Sequence, residues 1–529
     1  MPAVLKLPPP RPTGTPDNLW LSWQAARPTP IDQADLCIPV KTQRRKRPEA
    51  GNRLVVIGDS LSHGFKNYAI SDTAHSWPAI VAYEMGWLDS FRRPRYDGPD
   101  GCPGLPLNLN ELINRLETAG SKKPFFWNPT FLFRLRRILA QVRDYWDSGP
   151  GSLPPDPSEV PHNLAIYGWD LRDSLSKDYE WCKEKLAEPV SRGVFGSLFP
   201  RVSHDNERAA LRVLKGDGKA SYTQLSAAKA LAEQGGIETL VVGLGANNAL
   251  RSIVSLKVAW SGDDFDCLKT KDQYTVWRPE HFRQELRELE ARVADLKARH
   301  VIWWSVPHVT IAPLAHGVGD KPFYSRYFTR YTYVFTPDER FDANIAGSLT
   351  NDEARVIDAA IDSYNRMIKS VVKKARRRGL DWYYFDVCGL LDSMAYRRYL
   401  EDPRSRPAWF TPYEFPPEFA KLSPFPDTRF TTSDRKGRLT GGLIGLDGVH
   451  PTTVGYGIVA REIIRVMERA GVKFYDGDGK LRPTPVNLDW QRLFDAEPLV
   501  SKPPASLAED LGIVGRIVDE LELWRLLLR

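Results

Sequence analysis

The sequence predicts an α/β protein: a five-stranded parallel sheet with helices on both faces. Three observations predict it. Five short apolar runs recur along the chain: Leu54–Ile57, Leu164–Tyr167, the run opening at Ile237, Val301–Val306 and Trp382–Val387. Several stop at a glycine or proline such as Gly58, Gly168 or Pro307. Helical patterns lie between the runs, the alternation that builds a parallel sheet. No internal repeat of fixed period competes with that reading. Right-handed crossovers then bring every strand end to one edge of the sheet.

Composition supports such a core and argues against other classes. The 529 residues are enough for roughly two to four domains, or for one heavily elaborated domain. With 42% hydrophobic and 26% charged residues, a sizeable core is available, and the 42 prolines point to long ordered loops. The net charge of +7 is mild for this size, and its densest run, Lys41–Arg47, reads as a solvated linker rather than a nucleic-acid or anionic-membrane patch. The five cysteines (Cys37, Cys102, Cys182, Cys267, Cys388) contain no CxxC and no Cys/His cluster at zinc spacing. No metal or cofactor is expected, and disulfides are not expected to be central. The N-terminus lacks the apolar core of a signal peptide, and no stretch approaches the ~20 apolar residues of a membrane span. A cytoplasmic protein is therefore expected.

In chain order, residues 1–50 read as a Pro-rich extension, with Trp20 and Trp23 tucked against the body. Residues 51–470 read as the main domain, and 471–529 as a C-terminal extension. The first strand turns at Gly58. A helix over Ser76–Gly86 follows, with Ser76 as N-cap, Pro78 in the first turn, and Ile80, Val81 and Met85 toward the sheet. Insertions are expected near 90–160, 175–225, 315–345 and 395–440. The first contains a basic amphipathic segment, Phe131–Trp146, read as a helix packed on its own domain, with membrane-surface contact as the alternative. Tyr222–Gln234, 279–299, 351–378 and Thr452–Ala470 read as helices, and the basic end of 351–378 complements its dipole. The region 315–345 reads as a polar, aromatic loop. A last amphipathic helix, Ser506–Leu528, is expected to pack on the body, with a dimer or membrane-surface contact as the alternative.

The strand ends carry chemistry. Ser60 follows the first strand in Gly-Asp-Ser, and a serine hydroxyl needs a base to become a nucleophile. His450 supplies one, and Asp447, three residues earlier in Asp-Gly-Val-His, can hold its ring. The backbone N–H groups of Ser60 and Gly168 and the side-chain amide of Asn247 form the available set of oxyanion donors. His63 and His308 are rival bases, expected to line the site instead. Asp59 is expected to hydrogen-bond the turn. The pair Gly243 and Gly245 lacks the third glycine of a dinucleotide fingerprint, and no P-loop is present.

Taken together, Gly58-Asp59-Ser60-Leu61, the glycine of NLAIYGWDLRD, Gly245-Ala246-Asn247-Asn248 and Asp447-Gly448-Val449-His450-Pro451 resemble the four blocks of the SGNH/GDSL hydrolase superfamily. Asn248 stands where that family more often has Asp. The resemblance covers roughly half of the chain. It implies a flavodoxin-like three-layer fold and a metal-free ester-hydrolase mechanism with these residue roles. The long insertions are expected to wall the pocket. Their aromatic residues (Phe125, Phe126, Trp127, Trp409, Phe410, Phe425) suggest an apolar acyl or aromatic ester, or a stacked sugar. The expected function is serine ester hydrolysis on a small-molecule or lipid ester. An acyltransferase and a carbohydrate O-deacetylase are the enzymatic alternatives. A binding module with an inert hydrolase core is the non-enzymatic one.

Overall fold

The structure, a computed structural model, describes residues 11–22, 50–118, 129–153, 159–189, 200–215, 221–322, 325–335, 341–342, 347–505 and 507. Its central sheet has four strands: β1 (Asn52–Gly58), β2 (Ile237–Gly243), β3 (His300–Trp304) and β4 (Trp382–Phe385). They lie side by side in that order and all run parallel, with Gly58 opposite Gly243 and Trp303 opposite both Val242 and Tyr384. The α/β class and the parallel sheet are as the sequence predicts.

The fifth strand is not. Leu164–Tyr167 runs beside β1 but forms no regular strand. Val56 N–H donates to His162 O at 2.9 Å, Leu164 N–H to Val56 O at 2.9 Å, and Ile166 N–H to Gly58 O at 3.1 Å. A single bridge, Val56 with Asn163, is complete. A side chain takes the acceptor that the next rung needs, Leu164 O. Gln224 Nε2 donates to Leu164 O (2.7 Å) and Gly58 O (2.9 Å), and Asn163 Oδ1 accepts from Ala165 N–H (3.2 Å). Side-chain bonds here, from Gln224 and Asn163, displace the sheet ladder.

The helices that cover the sheet, in chain order, are α1 (Trp77–Glu84), α2 (Gln224–Gly235), α3 (Asn247–Val254), α4 (Pro279–Asp295), α5 (Asn351–Arg377), α6 (Val387–Met394), α7 (Thr453–Ala470) and α8 (Trp490–Ala496). Strand side chains alternate between two cores. Val55, Ile57, Leu240, Val242, Trp303 and Tyr384 pack with α2, α4 and α5. Leu54, Val56, Val241, Ile302, Trp304 and Phe385 pack with α1, α7 and α8. Both faces are covered, so the strands read as unbroken apolar runs. α5 starts at a capping box between Thr350 and Glu353 and ends on Lys374, Arg376 and Arg377. α1 departs from its expected cap: the Ser76 hydroxyl donates to Thr73 O (2.9 Å) instead of accepting from the helix.

The insertions are more regular than expected. Within the segment read as a loop, Ala315–Val318 pairs antiparallel with Arg330–Tyr333, which also pairs with Leu349–Thr350. Tyr331 and Leu349 bury their side chains in the first core, which gives this small sheet its inner face. Phe131–Trp146 lies within the helix Pro129–Asp147 and packs Phe131, Leu135, Leu139, Val142 and Trp146 into the same core. Among the described residues, no helix is long and apolar enough to cross a membrane. Leu19 is buried and Trp20 packs against the first core. Trp23, Lys41–Arg47, Phe125–Trp127 and all of Ser506–Leu528 except Leu507 lie outside the described residues.

Candidate active site

β1 ends where its neighbour leaves no room. A Cβ on Gly58 would come within 2.7 Å of Ser62 Oγ and 3.2 Å of Gly243 O. The chain then turns into a short helix, Ser60–His63, capped by Asp59, whose carboxylate accepts from Leu61 N–H at 3.1 Å. Gly64, with φ +89°, ends that helix. Ser60 therefore stands at the carboxyl edge of the sheet, and its N–H is one of the first helical amides, which lack an intrahelical acceptor.

The loop bearing Asp447 and His450 is clamped against the turn that follows Ser60. Asn67 and Tyr68 both adopt left-handed backbone, with φ 54° and 63°. Asn67 Oδ1 accepts from Leu446 N–H (2.7 Å), and Tyr68 N–H donates to Asp447 Oδ2 (3.4 Å). Gly448 has φ +69°, and a Cβ there would lie 2.9 Å from Leu314 N. That backbone lets Asp447 and His450 point the same way. Asp447 Oδ1 accepts from the N–H groups of Val449 and His450, each at 2.8 Å.

His450 Nε2 lies 2.8 Å from Ser60 Oγ, and its Nδ1 lies 3.3 Å from Asp447 Oδ2. The second contact is close but not an aligned hydrogen bond, because the carboxylate is turned toward the backbone amides. Such bonds are often long in unliganded sites and tighten with substrate. Ser60, Asp447 and His450 are 5%, 0% and 2% exposed, so bulk water does not weaken their interaction. Phe65 packs on the His450 ring at 4.8 Å between centroids.

The expected oxyanion donors are tied to one another. Asn247 opens α3 just beyond β2, and its Nδ2 donates to Trp169 O at 2.9 Å. An amide NH₂ has two hydrogens, so a second remains for a ligand. On the other side of Gly168, Tyr167 N–H donates to His63 Nδ1 at 3.1 Å. Gly168 itself has φ +76°, a conformation that favours glycine.

The two rival histidines divide. His63 does not line the cleft, against expectation. It is fully buried, with Nδ1 accepting from Tyr167 and Nε2 2.8 Å from the Tyr96 hydroxyl, which donates onward to Ala209 O. Burial depresses its pKa to about 3, so the ring is neutral and structural. His308 does line the cleft. Burial pulls its pKa down, but Asp392 first, then Cys388, Asp358 and Asp362, hold it well above the usual histidine value. Asp59 holds the turn as expected. Burial pushes its carboxyl up to about 7, against the Leu61 N–H and His450.

Next to Ser60 and His450 runs a narrow cleft of about 60 Å³, lined mainly by apolar side chains including Leu61, Leu250, Val309, Ile311, Leu391 and Ile444. Gly168 and Asn247 are not part of that lining. Among the described residues, the expected insertion 395–440 alone reaches it, through Ala395 and Thr428; residues 307–313 beyond β3 supply another wall. The aromatic residues of 395–440 pack elsewhere: Phe410 on Tyr399 (4.8 Å) and Phe425 on Phe415 (5.0 Å).

No family model matches this chain, and no curated protein does. What the site can do follows from its geometry. A buried serine hydroxyl faces an imidazole that faces a carboxylate, beside an apolar cleft. Sequence reading missed Phe65, Asn67, Tyr68 and Leu314, which set the position of the His450 loop. Asn67 left a signal, as a residue that tolerates left-handed turns. The other three left none.

Proposed function

We propose that this protein is a serine-dependent carboxylic ester hydrolase of the SGNH/GDSL type. The observation that carries the reading is the 2.8 Å contact between Ser60 Oγ and His450 Nε2, with Asp447 behind the ring. His450 takes the Ser60 proton as the oxygen attacks the ester carbonyl carbon. The tetrahedral oxyanion is held by the N–H groups of Ser60 and Gly168 and the free Asn247 amide hydrogen. His450 then protonates the departing alkoxide, leaving the acyl group on Ser60. Water, deprotonated by His450, attacks that ester and releases the acid. The proton returns to Ser60, so the cycle closes.

The apolar cleft supports an acyl group of modest width as the bound half of the ester. The reading also takes the fold as flavodoxin-like, with residues 162–166 as a reduced strand outside β1. The strands would then follow the order 2-1-3-4-5.

The test is hydrolysis of a p-nitrophenyl ester series from acetate to palmitate, by wild type and by Ser60→Ala. Turnover abolished by the substitution is the expected result, with the chain-length optimum sizing the cleft. A fluorophosphonate should label Ser60 covalently. A folded wild type that neither turns over an ester nor labels would overturn the reading in favour of an inert binding module.

A further inference from the structure

Across the cleft wall from Ser60 lies a second cluster that the ester chemistry does not use. His308 follows β3, while Cys388 and Asp392 both belong to α6. Four residues apart, Cys388 and Asp392 share one face of that helix. The two loops are strapped together: Cys388 N–H donates to Ser305 Oγ at 2.8 Å, and Ser305 Oγ donates to Asp386 Oδ1 at 2.9 Å. As a result the imidazole nitrogen, the thiol sulfur and a carboxylate oxygen all lie within 4.8 Å of one another, and all three residues are buried.

We propose that His308, Cys388 and Asp392 form a binding site for a thiophilic divalent cation of the zinc class. Four features support it. The donor set is one thiolate, one imidazole and one carboxylate, which suits Zn²⁺ and disfavours Mg²⁺ or Ca²⁺. The spacing fits: tetrahedral bonds of about 2.0–2.3 Å put ligand atoms roughly 3.3–3.8 Å apart. His308 Nδ1 is already 3.0 Å from Asp392 Oδ2, so closure asks for about an ångström of side-chain movement.

The third feature is the partner of the other ring nitrogen. His308 Nε2 faces Asp362 Oδ1 of α5 at 3.3 Å. A carboxylate on the far nitrogen fixes the tautomer and raises the basicity of a metal-binding histidine. The fourth is access. His308 and Leu391 line the same cleft as Ser60, so the cluster borders a route by which an ion enters from solvent. Binding releases to solvent the protons shared by His308, Cys388 and Asp392, and the ion replaces them. Only the tertiary structure brings these residues together, since His308 lies 84 residues from Asp392.

The experiment uses the full chain, stripped with a chelator and titrated with Co²⁺ as the probe. The expected result is one Co²⁺ per chain, with intense visible bands of a tetrahedral ion and a thiolate-to-cobalt charge-transfer band. Cys388→Ser should abolish the charge-transfer band, and Asp392→Asn should weaken binding by about ten-fold or more. Cys267→Ser, at an exposed thiol, should leave the spectrum unchanged. Absence of stoichiometric binding would overturn the proposal, as would a charge-transfer band that survives Cys388→Ser or disappears in Cys267→Ser. Should the Cys388 variant fail to fold, X-ray absorption of zinc-loaded wild type decides: one sulfur ligand supports the site and none overturns it.

Discussion

His63 and His308 are equally buried and both stand beside the strand-end chemistry, yet their surroundings leave the first neutral and the second protonated. His63 sits among groups that exchange neutral hydrogen bonds, the Tyr167 N–H and the Tyr96 hydroxyl, and nothing nearby rewards a proton. Burial therefore discharges it. His308 sits between Asp392 and Asp362, and their charge outweighs the same cost. Burial alone does not set the state of a histidine; the first ring of neighbours does. One wall of the site is a neutral scaffold that positions the Gly168 loop. The other is a charged cluster with the donors of a metal site.

The largest expected effect separates the two walls. Ser60→Ala should lower kcat/KM on a p-nitrophenyl ester by about 10⁴-fold or more, the scale seen when a triad nucleophile is lost. Co²⁺ binding at His308 should be unchanged in the same protein, and a parallel loss would mean that the walls are not independent. Next comes Asp392→Asn in metal-free protein. Removing one partner of a buried ion pair should cost about 3–5 kcal/mol in urea unfolding.

A smaller effect is expected on the neutral wall. His63→Phe leaves the Tyr167 N–H and the Tyr96 hydroxyl short of a partner, for a loss of about 1–3 kcal/mol near pH 8. Its pH signature is specific. The folded ring titrates near 3 and the unfolded one near 6.5, so below 6.5 the unfolded chain binds a proton that the folded one refuses. That stability is present above pH 6.5 and lost as pH falls toward 3. Urea midpoints of the variant should fall less steeply over this window than those of wild type.

The smallest effect on activity belongs to Asp59→Asn, which keeps the cap acceptor and removes the titration. The folded carboxyl holds its proton to about pH 7, against 3.8 for the ordinary group, so between these values the unfolded chain releases a proton first. Asp59 thus makes stability fall as pH rises from about 4 to 7, opposite in sign to His63. In the variant the fall should disappear, while ester turnover stays within a few-fold of wild type. A slope unchanged in Asp59→Asn would show that the carboxyl ionises normally in the fold.

The four observed strands were legible because each is an apolar run that must be buried on both faces, and such a run carries its own signal. Leu164–Tyr167 carries the same signal, yet Gln224, a distant residue in the chain, takes its ladder acceptor, Leu164 O. The site was legible where it is local. Gly-Asp-Ser and Asp-Gly-Val-His each hold their geometry within a few residues, through Asp59 on Leu61 and Asp447 on Val449 and His450. It was not legible where the clamp is remote, as with Asn67 on Leu446, 379 residues apart.

What the sequence by itself determined is therefore the α/β class and the candidate nucleophile, base and orienter, because periodicity and turn chemistry act over short stretches. The tertiary structure alone decided the protonation of His63 and His308 and the meeting of His308 with Cys388 and Asp392. Those depend on desolvation and on charges a few ångströms away, and such neighbours come from elements far apart in the chain.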